Sequence, residues 1–378
     1  MNVLLLGGTG AMGIYLSRRL AKSGWMVYVT SRKAHAPTCS ESGGGSIFYL
    51  TGNAKDRPFL ESTLERVRPD AIVDFMTYTT IEFLDRRELL LRRCGHYLFL
   101  STYRVFAETV PITETSPRLL DICRDTEYLA TDEYAMTKAR QENILRDASS
   151  RNWTIVRPAI TFSRNRFQFG CLEAWEVCFR SLAGLPVAMP AEMMDKQATL
   201  SWADDVARMM ERLVLDRRAM AEDFNVATAE HMTWRQISEI YRREIGMEVR
   251  ECSLSDYIEI IGSRYQVMYD RMVDRVVDNR KVLAATGLTQ NDLTPVSEAL
   301  SRELSAFKQD PHYPVFLVSR LAKMDKVLGT RIPLKGLSSG QKLEYLKTLH
   351  PFLNNRYFRR AERIARRIVR MTESQKRK

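Results

Sequence analysis

The chain has 378 residues, of which 45% are hydrophobic, and its formal net charge is +11. This length allows one large domain with additions, or two domains, around a sizeable core. No stretch approaches about 18 consecutive apolar residues, so we expect no transmembrane helix. The six cysteines lack the paired CxxC spacing of zinc sites, which argues against a metal site and against a disulfide framework.

The start of the chain carries the strongest pattern. An apolar run of strand length, 2–6, leads into the turn Gly7-Gly8-Thr9-Gly10-Ala11-Met12-Gly13, then a helical pattern over 14–22 and a second strand over 26–30. Glycines at GxxGxxG spacing let the backbone approach a pyrophosphate and aim a helix N-terminus at it. The order predicts a dinucleotide site, with an ordinary tight turn as the alternative. Because the first strand begins at Asn2, there is no room for a signal peptide, and we expect a cytoplasmic protein.

The end of the second predicted strand bears on the choice of cofactor. An acidic residue there would accept hydrogen bonds from the adenosine ribose, but the chain has Ser31-Arg32-Lys33. Two cations without a carboxylate favour a 2′-phosphate and hence NADP over NAD, unless both side chains are simply solvated.

Later strands alternate with helices and predict an α/β fold, a doubly wound parallel sheet of the Rossmann type. The segment after the strand at 47–50 includes Asn53 and Ala54, which we expect near the adenine. The strand at 71–76 ends in Phe75 and Met76, which we expect beside the nicotinamide ribose, because ligands of such folds bind at the carboxyl ends of the strands.

A tyrosine and a lysine follow the fifth predicted strand, 96–100, which ends in Ser101-Thr102. Tyr134 and Lys138 lie four residues apart within a helical pattern over about 131–145, so they share a helix face. A nearby ammonium can stabilise a phenolate, and such a tyrosine can take a proton from an alcohol while a nicotinamide takes the hydride. By itself, this tyrosine–lysine pair is weak evidence for catalysis. The evidence is stronger here because the pair follows the glycine turn and the strand end in the chain.

Several segments in the same order resemble the extended short-chain dehydrogenases/reductases of the nucleotide-sugar epimerase/dehydratase family. The resemblance covers about residues 1–290. The segments are the glycine turn, Ser101-Thr102-Tyr103-Arg104-Val105-Phe106-Ala107, the pair Tyr134 and Lys138, the strand Thr154-Ile155-Val156-Arg157-Pro158, Leu200-Ser201-Trp202-Ala203-Asp204-Asp205-Val206-Ala207, and the late strand Phe224-Asn225-Val226-Ala227.

The resemblance implies hydride transfer on a nucleotide-linked sugar, at carbon 4, by a 4-epimerase or a 4-ketoreductase. Thr102, Tyr134 and Lys138 would be catalytic, and Pro158 would lie at the cofactor. The resemblance also leaves room for a homodimer.

Departures from the family pattern are informative. Tyr103 and Arg104 stand where 4,6-dehydratases have an acidic pair, so we expect no dehydration. Ile160 replaces the asparagine that contacts substrate phosphate in many relatives, and Ala198 lies near the position of a family arginine. The substrate diphosphate could instead be held by Arg164 and Arg166 or by Arg271 and Arg275, unless these are plain surface arginines.

We expect three regions: a nucleotide-binding domain over 1–160 with returning segments at about 200–228, a mostly helical substrate region over 161–295, and a basic helical extension over 296–378. The last twenty-three residues hold ten cationic and two acidic residues, a net charge of +8. Their predicted helix could bind an anionic membrane or an acidic partner, or dock on its own core. An alternative function is a non-catalytic cofactor-binding regulator or scaffold that uses this tail. No pattern indicates a nucleic-acid partner.

Overall fold

A computed structural model describes residues 1–39, 44–313 and 315–351. Its strands, in chain order, are β1 (Asn2–Leu6), β2 (Met26–Ser31), β3 (Thr38–Cys39), β4 (Ser46–Thr51), β5 (Ala71–Asp74), β6 (His96–Leu100), β7 (Trp153–Pro158), β8 (Ile160–Phe162), β9 (Gln168–Phe169), β10 (Leu172–Glu173), β11 (Val187–Pro190), β12 (Gln197–Ala198), β13 (Leu200–Trp202), β14 (Glu222–Val226), β15 (Met232–Thr233) and β16 (Val249–Cys252).

The α-helices are α1 (Gly13–Lys22), α2 (Arg57–Val67), α3 (Thr80–Arg92), α4 (Leu119–Ile122), α5 (Thr126–Leu129), α6 (Tyr134–Arg146), α7 (Ala174–Leu182), α8 (Ala191–Met194), α9 (Ala203–Leu213), α10 (Trp234–Ile245), α11 (Leu254–Ile261), α12 (Arg264–Gln266), α13 (Arg280–Thr286), α14 (Val296–Gln309), α15 (Val318–Leu328) and α16 (Ser339–Leu349). Short 3₁₀ turns cover Tyr103–Val105, Arg217–Ala219 and Gln290–Asp292, and a π-helical turn covers Val267–Arg271. No helix within the described ranges is long and apolar enough to cross a membrane.

One large sheet organises the first half of the chain, with strand order β14-β7-β6-β5-β1-β2-β4-β3. Every pairing in it is parallel except that of β3 with β4 at the edge. The chain starts in the middle, adds β2 and β4 on one side and then returns to add β5 on the other. The crevice outside the carboxyl ends of β1 and β5 is therefore the switch point at which doubly wound folds bind ligands.

Alternation along the strands explains why helices cover both faces of this sheet. Val3 and Leu5 of β1 point to one face and pack with α1 and α9, whereas Leu4 and Leu6 point to the other and pack with α2 and α3. The doubly wound α/β fold is thus confirmed. The strand predicted at 71–76 ends earlier, at Asp74, because the Asp74 carboxylate accepts a hydrogen bond from the Met76 N–H and turns the chain.

The second half forms another core from short paired strands and helices, centred on residues such as Phe169, Trp234 and Tyr241. Helices form most of its regular structure, and short strand pairs such as β11 with β16 and β8 with β13 join them. Helix α14 belongs to the same core through Leu304 and Phe307. The first helix of the predicted extension therefore packs inside the substrate region.

The rest of the extension is attached by a buried ion pair. Arg180 of α7 donates to Asp325 of α15 at 2.8 Å, and both side chains are fully buried. Asp325 also accepts from the Tyr345 hydroxyl of α16 and from the Ile332 N–H. The basic helix predicted after Asn355 lies outside the described residues.

Candidate active site

The glycine turn between β1 and α1 has the geometry that a dinucleotide needs. Gly7 adopts a positive φ of 70°, and its N–H donates to the Thr30 hydroxyl at the end of β2. A side chain at Gly13 would bring its Cβ to 2.4 Å from the Gly8 carbonyl oxygen, so only glycine allows α1 to start this close to the turn. The turn and the helix N-terminus behind it fit a pyrophosphate.

A cavity of about 510 Å³ opens at the carboxyl ends of β1, β2 and β4. Predicted cofactor residues that line it are Gly7, Ser31, Arg32, Asn53, Ala54 and Met76. Gly10, Ala11, Met12 and Gly13 lie in the turn and in the start of α1, while Lys33 and Phe75 are outside its lining.

Charges at the adenosine end of this crevice are exposed. Arg32 and Lys33 are exposed, and the Lys33 N–H donates to the Ser31 hydroxyl. His35, which the sequence analysis missed, lies 3.0 Å from the same hydroxyl through Nε2, and its ring packs on Tyr49 at 4.8 Å between centroids. The described residues bring no acidic side chain to the lining of this cavity.

A second cavity, of about 330 Å³, lies beyond the glycine turn. It brings together Met12, Thr102, Tyr134 and Pro158, which the sequence placed at the cofactor or the chemistry. Lys138 lies beneath its lining: the side chain is 2% exposed, and Nζ is 5.9 Å from the Tyr134 ring centroid and 4.5 Å from that of Phe99. The three predicted catalytic side chains therefore converge on one place.

Burial dominates the electrostatics of Tyr134 and Lys138. It lowers the pKa of Lys138 to about 8, against the opposing pull of Asp74 and Glu142. Burial raises the pKa of Tyr134, and the cations that oppose this rise are Arg104 and Arg166. We expected a lysine to lower the tyrosine pKa; in the structure, burial outweighs the nearby positive charges.

A buried carboxylate that the sequence analysis missed braces this site. Glu142 accepts from the Ser101 hydroxyl at 2.6 Å and from the Arg157 guanidinium at 2.7 Å. It thereby ties α6, which carries Tyr134 and Lys138, to the ends of β6 and β7. Its place four residues after Lys138 puts it on the same face of α6 as Lys138, but a solvated glutamate would have the same spacing.

Arg104 lines the second cavity, next to the hydroxyl groups of Thr102 and Tyr134. Its backbone N–H donates to Thr102 Oγ1 at 3.3 Å, and its guanidinium carbon is 5.5 Å from the Tyr134 ring centroid. Glu133, the residue before Tyr134, pairs with Nη2 at 2.5 Å, and Asp270 lies 3.2 Å from Nε. Both carboxylates were missed by the sequence analysis.

The four arginines predicted to hold a diphosphate are separated. Arg166 lines the second cavity, but Arg164, on the other side of the same turn, lies in a different cleft and pairs with Asp310 at 3.0 Å. Arg271 also lines the second cavity, yet it is 2% exposed and donates to the Gly170 carbonyl and the Tyr103 hydroxyl. Arg275 is buried against Asp270. Neither predicted pair therefore acts together on one exposed anion.

Segment 264–271 closes one side of the cavity through Gln266 and Arg271. Tyr265 and Tyr269 stack on Tyr128 at 4.6 Å between ring centroids, which attaches the segment to the short helix α5 that precedes α6. The described residues hold no cluster of side chains suited to a metal ion.

The family model described as NAD dependent epimerase/dehydratase matches residues 3–227. The chain belongs to this family. A curated relative by sequence, the chloroplast stem-loop binding protein of 41 kDa b from Arabidopsis thaliana, is 25% identical over 244 residues, or 62% of this chain. The match spans 60% of that relative's length.

Solved structures of epimerase/dehydratase folds superpose over 82% of this chain. MoeE5 in complex with UDP-glucose and NAD matches over 100% of its own length, with a TM-score of 0.63 and 14% identity. The UDP-glucose 4-epimerase of Thermus thermophilus, in complex with NAD, matches over 100% of its length, with a TM-score of 0.60 and 19% identity. At these identities the likeness shows the fold.

Proposed function

We propose that this protein transfers hydride between NADP(H) or NAD(H) and carbon 4 of a nucleotide-linked sugar. The observation that carries the proposal is the second cavity, in which Thr102 and Tyr134 meet above Lys138 and beside Met12 of the glycine turn. A 4-epimerase and a 4-ketoreductase would both use this arrangement. UDP-glucose in the names of two fold neighbours supports a nucleotide-sugar substrate.

Tyr134 is the proton donor and acceptor in this proposal. Its raised pKa makes the neutral phenol the resting form, which suits proton donation to a ketone. Arg104 stabilises the phenolate that results, Lys138 binds the nicotinamide ribose, and Thr102 orients the sugar oxygen. The dinucleotide, when bound, supplies or accepts the hydride.

Two finer points belong to the proposal. Arg32 at the adenosine end of the crevice supports a preference for NADP, and thus a reductase, whereas the 4-epimerase among the fold neighbours supports the epimerase. Dehydration is absent from the proposal because Tyr103 and Arg104 replace the acidic pair. A guanidinium cannot exchange protons near neutral pH, and the Tyr103 hydroxyl is engaged by Arg271.

Purification, denaturation and identification of the released nucleotide test the proposal, followed by incubation with UDP-glucose and NADPH or NAD. Retained NAD or NADP with an epimerised product identifies an epimerase, and oxidation of added NADPH by a 4-keto sugar nucleotide identifies a reductase. A protein that neither retains nor binds either dinucleotide contradicts the proposal.

A second candidate is a non-catalytic member of the fold that binds a regulatory partner. Its supporting observation is the name of the Arabidopsis relative, a stem-loop binding protein, together with the net charge of +11. Our expectation of no nucleic-acid partner stays a prediction. Titration with a labelled RNA stem-loop at about 50 and 200 mM salt tests it, since binding through phosphates weakens steeply between these concentrations.

A further inference from the structure

Arg104 places a permanent positive charge beside the proposed reacting atoms. Its backbone N–H holds Thr102 Oγ1, and its guanidinium carbon lies 5.5 Å from the ring centroid of Tyr134. The same side chain lines the cavity that contains both hydroxyls. Whatever binds between Thr102 and Tyr134 is therefore in reach of this cation.

The guanidinium of Arg104 is held in place by two carboxylates, and one of its nitrogens is left to bind a ligand. Glu133 engages Nη2, Asp270 lies beside Nε, and the side chain is 12% exposed. Within the described ranges, Nη1 donates no hydrogen bond. A fixed guanidinium with a spare donor, facing a cavity, suits the binding of an anionic oxygen, because charge-assisted hydrogen bonds are short and strong.

The geometry of a pyranose decides which anion fits. A nucleotide-linked sugar carries its diphosphate at carbon 1, across the ring from carbon 4. In the proposed function, Thr102 and Tyr134 hold the oxygen on carbon 4, so a group next to them belongs to a neighbouring carbon. Carbon 5 carries the exocyclic carbon 6, which is a carboxylate in uronic acids.

We propose that Arg104 binds a carboxylate at carbon 6, so that the preferred substrate class is a nucleotide-linked uronic acid. This inference rests on the proposed function. Arg166 is the cation left for the diphosphate: its side chain is 38% exposed, with Thr161 at 3.4 Å and Glu173 at 3.9 Å as its nearest polar partners. The alternative is that Arg104 only bridges Glu133 and Asp270.

Isothermal titration with UDP-glucose and UDP-glucuronic acid separates these alternatives, because the two probes differ only at carbon 6. We expect the unmodified protein, loaded with its dinucleotide, to bind the acid at least about tenfold more tightly. Arg104→Gln should remove this preference while changing the affinity for UDP-glucose less than about threefold. Arg166→Gln should weaken both probes by the same factor, since both carry the diphosphate.

Arg164→Gln is the matched control, because Arg164 faces another cleft and should leave both affinities unchanged. Arg104→Lys keeps the charge if Arg104→Gln does not fold, and should retain only part of the preference. Equal affinities of the unmodified protein for the two probes overturn the inference, and so does a preference that survives in a folded Arg104→Gln variant. Turnover of UDP-glucose with no preference for the acid defeats this inference alone; failure of both probes to bind defeats the proposed function as well.

Discussion

The nucleotide crevice and the substrate half of the molecule are built in different ways. In the crevice, the binding surface is formed largely by the backbone of neighbouring residues, as in the turn from Gly7 to Gly13. The charged side chains of Arg32 and Lys33 remain exposed there. In the substrate half, charges are buried and meet across long sequence separations: Arg271 reaches the Tyr103 hydroxyl 168 positions away. Local motifs therefore describe the first region, and tertiary contacts describe the second.

This difference predicts where mutations act. A buried charge without its partner is costly, whereas an exposed pair contributes little. Changes in the crevice should alter ligand choice with little effect on stability. Changes to the buried ion pairs of the substrate half should alter stability first.

The largest effect is expected at Tyr134, where the two regions meet. Tyr134→Phe should lower turnover by about 100-fold to 10,000-fold, because the variant loses the group that exchanges the proton. Dinucleotide affinity should stay nearly unchanged. Tyr28→Phe is the control, since Tyr28 lies outside the cavity and stacks on Phe48. Wild-type turnover of the Tyr134 variant on the identified substrate would show that Tyr134 is not the acid/base.

The second prediction concerns the attachment of the extension. Asp325→Ala should lower the free energy of unfolding by about 3–5 kcal/mol, because it leaves Arg180 buried without its partner. Asp310→Ala removes an exposed pair with Arg164 and should cost about 0–1 kcal/mol. Urea unfolding of both variants measures the difference. Similar values for the two would mean that burial does not distinguish the pairs.

Lys138 should support turnover but lower the stability of the folded protein. Burial lowers its pKa from 10.5 to about 8, so the folded protein binds the proton less well than the unfolded chain does. Stability of the unmodified protein should thus rise with pH from about 8 to 10.5. Lys138→Met, which does not titrate, should be more stable by about 3 kcal/mol at pH 7 and lose this advantage across the same window.

Melting curves of both proteins between pH 7 and 10.5 check this linkage. A constant difference across the range would mean that the pKa of Lys138 is not lowered. Turnover of Lys138→Met should fall even where its stability is higher, as expected when an active site is strained for function.

A smaller effect, on the choice between the two dinucleotides, is expected from a change in the crevice. Arg32→Ala should remove a preference for NADP(H) over NAD(H), which we expect to be about 10-fold to 150-fold, from charge-assisted hydrogen bonds of about 1.5–3 kcal/mol. Arg18→Ala, an exposed arginine of α1 outside the crevice, should leave the preference intact. Titration of each protein with both dinucleotides measures the ratio. Equal affinities in the unmodified protein would leave Arg32 as a solvated side chain.

The same contrast explains what the sequence could predict. Strands β1 and β6 have the predicted bounds, because an apolar run closed by glycine or polar residues is a local signal. Thr102, Tyr134 and Lys138 converge as the motif order suggested. Glu142 could not be told from a solvated glutamate, since its burial depends on Arg157 in a strand that comes later.

The arginines predicted to hold a diphosphate show most clearly what cannot be predicted from the sequence. Arg164 and Arg166 are two residues apart in sequence, which favours a pair, yet the hydrogen bonds between Ser163 and Arg166 form a turn that directs them to different cavities. Asp270, which draws Arg271 and Arg275 into the core, had no motif around it.

The smallest effect on the described fold is expected from the tail. Deletion of residues 356–378 removes a net charge of +8, and the proposed catalytic residues all precede it by more than 200 positions. If the tail does not dock on the body of the protein, turnover and the melting temperature should both stay unchanged. If the tail is an electrostatic anchor, co-sedimentation with vesicles that contain anionic lipids should fall on truncation. It should also weaken as salt rises, because exposed charges are screened over about 8–10 Å at ordinary ionic strength.

The alternative is that the apolar positions Tyr357, Ala361, Ile364 and Ile368 dock on the body of the protein. Truncation would then expose apolar surface and lower the melting temperature. Neutral vesicles are the control for the first outcome, because they keep the lipid surface and remove the charge. A lower melting temperature, in a protein whose full-length form binds neither anionic vesicles nor an acidic partner, would make the tail part of the same buried architecture as α14 and α15.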